Sequence, residues 1–197
     1  MLLAKGGMHT TPKMFELSPL TMKTVFLIIS IATCGVLVEA QESGFQASLT
    51  PEIAIEPRTA QIDGVALSIW GENPQHAFAL GFINGSTGDS AGFSLGLVNC
   101  AETYTGVAFG IVNISEQDFH GWQDGLVNYC QGSFTGFQSG WINVSTEFHG
   151  LQYGFVNYTE NLRGVQIGLV NVAMNNPWFD EFPNKLATGF PIVNWSF

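Results

Sequence analysis

Gly121-Trp-Gln-Asp-Gly-Leu-Val-Asn128, Gly136-Phe-Gln-Ser-Gly-Trp-Ile-Asn143, Gly150-Leu-Gln-Tyr-Gly-Phe-Val-Asn157 and Gly164-Val-Gln-Ile-Gly-Leu-Val-Asn171 are one word written four times. Upstream the word recurs as Gly92-Phe-Ser-Leu-Gly-Leu-Val-Asn99 and Gly106-Val-Ala-Phe-Gly-Ile-Val-Asn113. Residues 77–84 repeat it with Ala for the first Gly, and 64–71 form a degenerate first copy. The closing Asn falls at 84, 99, 113, 128, 143, 157 and 171, at intervals of 15, 14, 15, 15, 14 and 14. Self-similarity at a fixed period marks a repeat architecture, here of about eight units.

Each word reads as strand. Val, Ile, Leu, Phe and Trp dominate it, and no helix cap or 3.6-residue period appears. Two Gly in eight residues would cost a helix about 1 kcal/mol each against Ala. In a sheet, Gly marks bends and close backbone approach. The six or seven residues between words hold most charges, with Glu102, Glu116 and Glu160 each three residues past an Asn. Tyr104, Phe119, Phe134, Phe148 and Leu162 precede the next Gly by two residues and are candidates to cover its bare backbone.

The fold class is therefore all-β, with two architectures in competition. In a β-solenoid or β-roll, each 14–15-residue unit is one coil, and equivalent residues stack about 4.8 Å apart. Asn then stacks on Asn as a ladder. In an antiparallel β-meander or small outer-membrane β-barrel, each unit is a strand and a turn. The alternating tail Pro191, Val193, Trp195, Phe197 resembles an outer-membrane assembly signal and favours the barrel. The near-constant period favours the solenoid, because a coil has a fixed circumference. A membrane barrel also needs an apolar outer face. The face of Phe93, Leu95 and Leu97 would place Asp124 and Ser139 in lipid, so the solenoid is preferred.

The N-terminus reads as a targeting segment. Lys23 precedes an apolar run from Val25 to Leu37, followed by Val38-Glu39-Ala40. A positive start, a short apolar core and a small-residue cut describe a secretory signal peptide over 22–40, with cleavage before Gln41. The run is shorter than the roughly 20 residues of a membrane-spanning helix. Residues 1–21 read as an over-extended start or leader. Cys34 suggests lipidation, but Thr33 fits a lipobox poorly. The rest divides into a lead-in or cap strand over 41–63, the repeats over 64–173 and an aromatic, Pro-rich cap over 174–197.

Composition excludes several roles. Hydrophobic residues make up 46% and charged residues only 11%. Lys and Arg number 6 against 16 Asp and Glu. Past the cut, only Arg58, Arg163 and Lys185 face 14 acids, leaving a formal charge near −11. A nucleic-acid binder needs clustered bases, so nucleic acid is not an expected partner. Three Cys make no disulfide framework.

The chemical motifs dissolve into the repeat. Gly92-Phe-Ser94-Leu-Gly96 spells a nucleophile elbow, which requires a strand-to-helix turn. Here Ser94 only replaces the Gln or Ala of other words. Gly-x-x-x-Gly recurs without the apolar 20-residue helix that would make it a dimer motif. His76, His120 and His149 precede their words, too far apart in a stack to share zinc. The acidic turns lack the Gly-Gly-x-Gly-x-Asp run of calcium-binding rolls. Cys100 and Cys130 occupy different places relative to Asn99 and Asn128, so free thiols, or a bond to another chain, are expected rather than a staple between them. Asn84, Asn113, Asn143, Asn157 and Asn194 are Asn-x-Ser/Thr sequons, and a stacked Asn would be inaccessible to glycosylation. No catalytic, metal or cofactor residue stands out, and no cofactor is expected.

These words resemble a bacterial surface-repeat family named from leptospiral surface proteins, whose members carry Gly-Leu-Gln-x-Gly-Leu-Val-Asn units behind an export signal. The likeness spans about 45–197, including Ser48-Leu-Thr-Pro-Glu-Ile-Ala-Ile55 and Phe190-Pro-Ile-Val-Asn-Trp-Ser-Phe197. Ala66, Ala79, Ser94 and Ala108 depart from its Gln. The resemblance implies an exported cell-envelope or surface protein with a structural or binding role and no established activity. The cell surface, outer membrane or periplasm is the expected place. Envelope, outer-membrane, protein and glycan contacts are the candidate partners, with Trp122, Trp141 and the acidic turns as candidate contacts.

Overall fold

A chain that repeats every 14 or 15 residues can pair each strand with its own equivalent one coil on, and this one does. The computed structural model describes residues 41–197. The expected leader 1–21 and signal segment 22–40, with Cys34, lie outside the described residues. Eight strands follow in order: β1 (Glu42–Thr50), β2 (Ile53–Ala54), β3 (Gln61–Asn73), β4 (His76–Leu95), β5 (Val98–Phe109), β6 (Val112–Ser115), β7 (Phe119–Ala173) and β8 (Gly189–Ser196). The long strands are not straight. They pass through several coils, bending at the Gly residues.

The pairing decides the architecture. β1–β3, β3–β4, β4–β5, β5–β6, β5–β7 and β6–β7 are all parallel. Asn84 pairs with Asn99, Asn99 with Asn113, and Asn113 with Asn128. Gly92, Gly106 and Gly121 stack in the same register. This is a β-solenoid. An antiparallel meander or barrel is set aside by the parallel register. Antiparallel pairing occurs only at the two ends, β1–β2 and β7–β8.

Three columns fill the inside. The Asn side chains form a ladder of six hydrogen bonds, 2.7–3.0 Å long, from Asn84 to Asn171. Each Nδ2 donates to Oδ1 of the Asn one coil on. Its second hydrogen goes to the carbonyl of the fourth residue of the next word: Phe109 for Asn99, Asp124 for Asn113, Ser139 for Asn128. The column thus serves backbone at the corner where the chain bends, which an apolar residue of that size could not do.

Gln123, Gln138, Gln152 and Gln166 make the second column. Here Nε2 of each later Gln donates to Oε1 of the earlier one, so its bonds run opposite to those of the Asn column. The third column is apolar. Tyr104, Phe119, Phe134 and Phe148 are fully buried and stacked at 5.2–5.6 Å, with Leu162 next. They pack on each other inside the coil. Each such pair adds about 0.5–1.5 kcal/mol beyond its area.

The first Gly of the word is obligatory once coils are stacked this closely. Gly136 has φ +137°, and a Cβ there would stand 2.0 Å from the carbonyl oxygen of Gly121. Only Gly combines that φ with that approach.

The ends differ in construction. The lead-in is itself a coil strand: Phe45 pairs with Val65 and Gln46 with Ala66. Its free edge is covered by residues 53–57, where Gln46 exchanges two 3.0 Å hydrogen bonds with the backbone of Glu56. At the other end β8 runs antiparallel to the last coil, from Gly164 opposite Ser196 to Val172 opposite Gly189. Asn171 finds no eighth Asn and donates to the carbonyl of Phe190 at 3.1 Å. Buried Asn194 ties β8 to Ala187 at 2.8 Å.

Candidate functional site

Strand alternation that sends amides inward must send their neighbours outward. In each word the second, fourth, sixth and seventh residues face solvent. From Val65 to Val170 every residue at these positions is apolar or aromatic except Asp124 and Ser139. The result is an outer face of Phe, Leu, Ile, Val and Trp running about 34 Å along the stack at one coil per 4.8 Å. Trp141 is 61% exposed and Leu169 64%. Monomeric proteins rarely expose contiguous apolar patches beyond a few hundred Å², and larger ones mark interaction sites. A second apolar patch, of Leu49, Ile53, Ile55, Leu67 and Ile69, continues it at the N-terminal end.

Charge lies between the words. Glu116 sits at an exposed bend, Glu147 and Glu160 on exposed stretches of β7, and Glu102 accepts the Gly88 N–H at 3.0 Å. Glu72, Glu102 and Glu116 border the apolar row of Trp70, Ile83 and Val98. The molecule thus carries an acidic edge beside an apolar face. Both Trp expected as contacts lie on the apolar face. Trp141 tilts against Phe155 at 5.1 Å, while Trp122 packs edge-on to Phe109 at 4.8 Å. The Trp122 indole donates to Ser139 Oγ at 3.1 Å, and Ser139 in turn donates to the Asp124 carboxylate. This chain of contacts was not anticipated from the sequence. The only trace of it there is the pair of polar residues in an otherwise apolar row.

The motifs that spelled chemistry have structural places. Ser94 is buried in β4 and donates to Asn99 Oδ1 at 2.7 Å, standing in for a Gln. No helix follows it. His76, His120 and His149 are exposed at the coil edge, and His76 lies 3.4 Å from Asp63. Cys100 points outward and Cys130 inward, one residue apart in the repeat, and both are free. Burial holds both thiols above their ordinary pKa, Cys130 at about 11. Cys130 donates to the Gln117 carbonyl at 3.2 Å. All five sequon Asn side chains are buried in ladders or caps, which closes them to a glycosyltransferase.

No helix among the described residues is long and apolar enough to cross a membrane. No group of three His, Cys, Asp or Glu among them is placed to hold a metal ion. No protein family, curated protein or solved structure matches the chain.

Proposed function

We propose that this chain is an exported bacterial cell-envelope or surface protein with a structural or binding role and no catalysis. The observation that carries the reading is the inverted distribution of side chains. Amides, hydroxyls and one aromatic stack hold the coils together from within, leaving an outer face free to be apolar. A face of that size is a contact surface. The Lys23-led apolar segment ending at Ala40, and the likeness of the words to leptospiral-type surface repeats, support its delivery to the envelope. Hydrolase chemistry finds no foothold at Ser94, whose hydroxyl is committed to Asn99.

Expression of the full chain in a bacterial host, followed by fractionation and N-terminal sequencing, tests the reading. Envelope-associated protein beginning at or near Gln41 is the expected result, and deletion of 22–40 should strand the chain in the cytoplasm. Full-length protein in the cytoplasm, still carrying Met1, overturns it.

A further inference from the structure

The outer face carries several shallow grooves, and one of them has the Asp124 carboxylate at its end. Along the row made by the fourth residue of each word, Leu95 and Phe109 give way to Asp124 and Ser139 before Tyr153 and Ile167 resume. The neighbouring row stays tall, with Trp141 and Phe155. The step between them is a groove of about 540 Å³ over the backbone of Gly140, Gly154 and Gly168. That volume falls within the roughly 300–1,000 Å³ of small-molecule sites.

Its two ends are unlike. One end is the Asp124 carboxylate, fixed by Ser139, which is itself held by the Trp122 indole. No Lys, Arg or His among the described residues pairs with it. The other end is Ile192 of β8, 72% exposed and at φ +73°. A β-branched residue in the left-handed region is a genuine outlier. Strain of this kind collects at binding and active sites, where the surrounding structure holds it in place. From Asp124 to Ile167, beside Ile192, is three coil spacings, or about 14 Å.

We propose that this groove binds an amphiphilic organic ammonium, its cationic head at Asp124 and its apolar body lying over the Gly backbone as far as Ile192. An unpaired carboxylate in apolar surroundings is complementary to a cation. Trp141 and Tyr153 line the groove further along, Tyr153 two coils from Asp124, and give the apolar body aromatic surface to lie against. A second copy of the chain is the poorer occupant, because docking would desolvate that carboxylate with no partner. A glycan would find polar side-chain atoms only on Asp124, Ser139, Trp141 and Tyr153, clustered toward one end, and only apolar side chains at Ile167, Leu169 and Ile192. The proposal shares with the reading above the use of the outer face for binding, but not export. A cytoplasmic chain that still binds overturns only the earlier reading.

Titration of the purified protein with dodecyltrimethylammonium below its micelle threshold, followed by Trp fluorescence, tests this. Dodecyl maltoside and dodecyl sulfate serve as neutral and anionic counterparts. The ammonium is expected to saturate at one per chain and to bind about tenfold more tightly than the maltoside, with the sulfate weakest. Asp124→Asn should erase that preference, whereas Glu147→Gln, an equal charge change at an exposed strand position between words, should not. Ile192→Gly should relieve the strain, raise the thermal midpoint and weaken the dodecyl ligand severalfold. Equal affinity for all three ligands overturns the proposal, as does a preference lost equally in Glu147→Gln. Sedimentation as a dimer with no ligand uptake also overturns it. If Asp124→Asn fails to fold, the ligand ranking in the unaltered protein and the Ile192→Gly result still decide.

Discussion

The first and second halves of the solenoid fill the inside of the coil differently. In the first half the aromatic rings stack outside: Phe78 on Phe93 at 5.2 Å, Phe93 against Phe109 at 5.4 Å, and Phe109 against Trp122 at 4.8 Å. The interior there holds small or polar residues such as Ala66, Ala79, Ser90 and Ser94, with Gln75 bonded to Ser86 at 2.6 Å. In the second half rings also fill the inside, as the Tyr104–Phe148 column, and a four-Gln ladder appears beside them. Outer rings persist as Trp122–Phe137 and Trp141–Phe155, and the second-position row thins to Leu151 and Val165 only in the last two words. The Asn column alone runs through both halves. Coil stacking therefore depends on one ladder that satisfies the corner backbone, while the aromatic contribution can come from either side of the wall.

Removing the end is the hardest test of that view. Deleting 174–197 strips β8 from the last coil and exposes an unpaired edge, the standard route to edge-to-edge association. Light scattering should show aggregates, whereas excising the internal unit 121–135 should leave a shorter soluble protein, since coils contact only their neighbours. Equal damage from both would break the picture of independent coils in either half.

The Gly that opens each word comes next. Gly136→Ala meets both a forbidden φ and the Gly121 carbonyl, and should lose more than about 4 kcal/mol by chemical denaturation. Ala77 holds the same place in the first half without a positive φ, so Ala77→Gly should cost only about 1 kcal/mol. Gly92 and Gly106 share the positive φ and close approach of Gly136, so a mild Gly136→Ala would mean that coils throughout stack more loosely than these glycines require.

The aromatic exchange sharpens the comparison. Phe134→Ala empties a fully buried slot and should cost about 3–5 kcal/mol. Phe93→Ala, on the outer wall, should cost about 1 kcal/mol, the worth of its stacking contacts. Matching values in thermal unfolding would show that the outer stack is itself covered in solution.

Asn128→Ala removes the acceptor of one Asn113 Nδ2 hydrogen and the donor to the Ser139 carbonyl and Asn143 Oδ1, and should cost about 1–3 kcal/mol. The turn change Glu116→Ala should fall within about 0.5 kcal/mol. Equal small losses would count against a ladder that bears on stability.

The smallest effect is in pH. Burial raises the Cys130 thiol from its ordinary 9.0 to about 11. The fold keeps it neutral, so its contribution is intact below pH 9 and is lost as pH climbs toward 11. Cys130→Ser, matching Ser115 and Ser145 in its column, should flatten that part of the stability profile. At pH 8, Cys130 should resist thiol reagents until the protein unfolds.

Much of this was legible before any coordinates. The interval between Asn residues is a coil circumference, and it named the ladder. The mid-row Asp124 argued against lipid on the outer face. The alternate places of Cys100 and Cys130 predicted no staple between them. What escaped was the direction of individual side chains between words. That Phe119, Phe134 and Phe148 stack inside the coil was not legible, because a period of 14 or 15 does not say which way the turn folds. The first coil hid for a related reason. Residues 42–50 carry no Asn and read as a lead-in, yet they pair in register through backbone bonds that need no particular side chain.

The sequence by itself determined an all-β repeat, its period and which residues share a column, because those follow from spacing and from strand alternation. The tertiary structure alone decided that successive strands are parallel, that the two amide ladders run in opposite senses, and that the apolar rows face outward around a polar interior. Alternation only separates two sides of a strand. Which side becomes the inside is settled by closure of the coil, where the corner carbonyls must find the Asn amides and no other group is in reach.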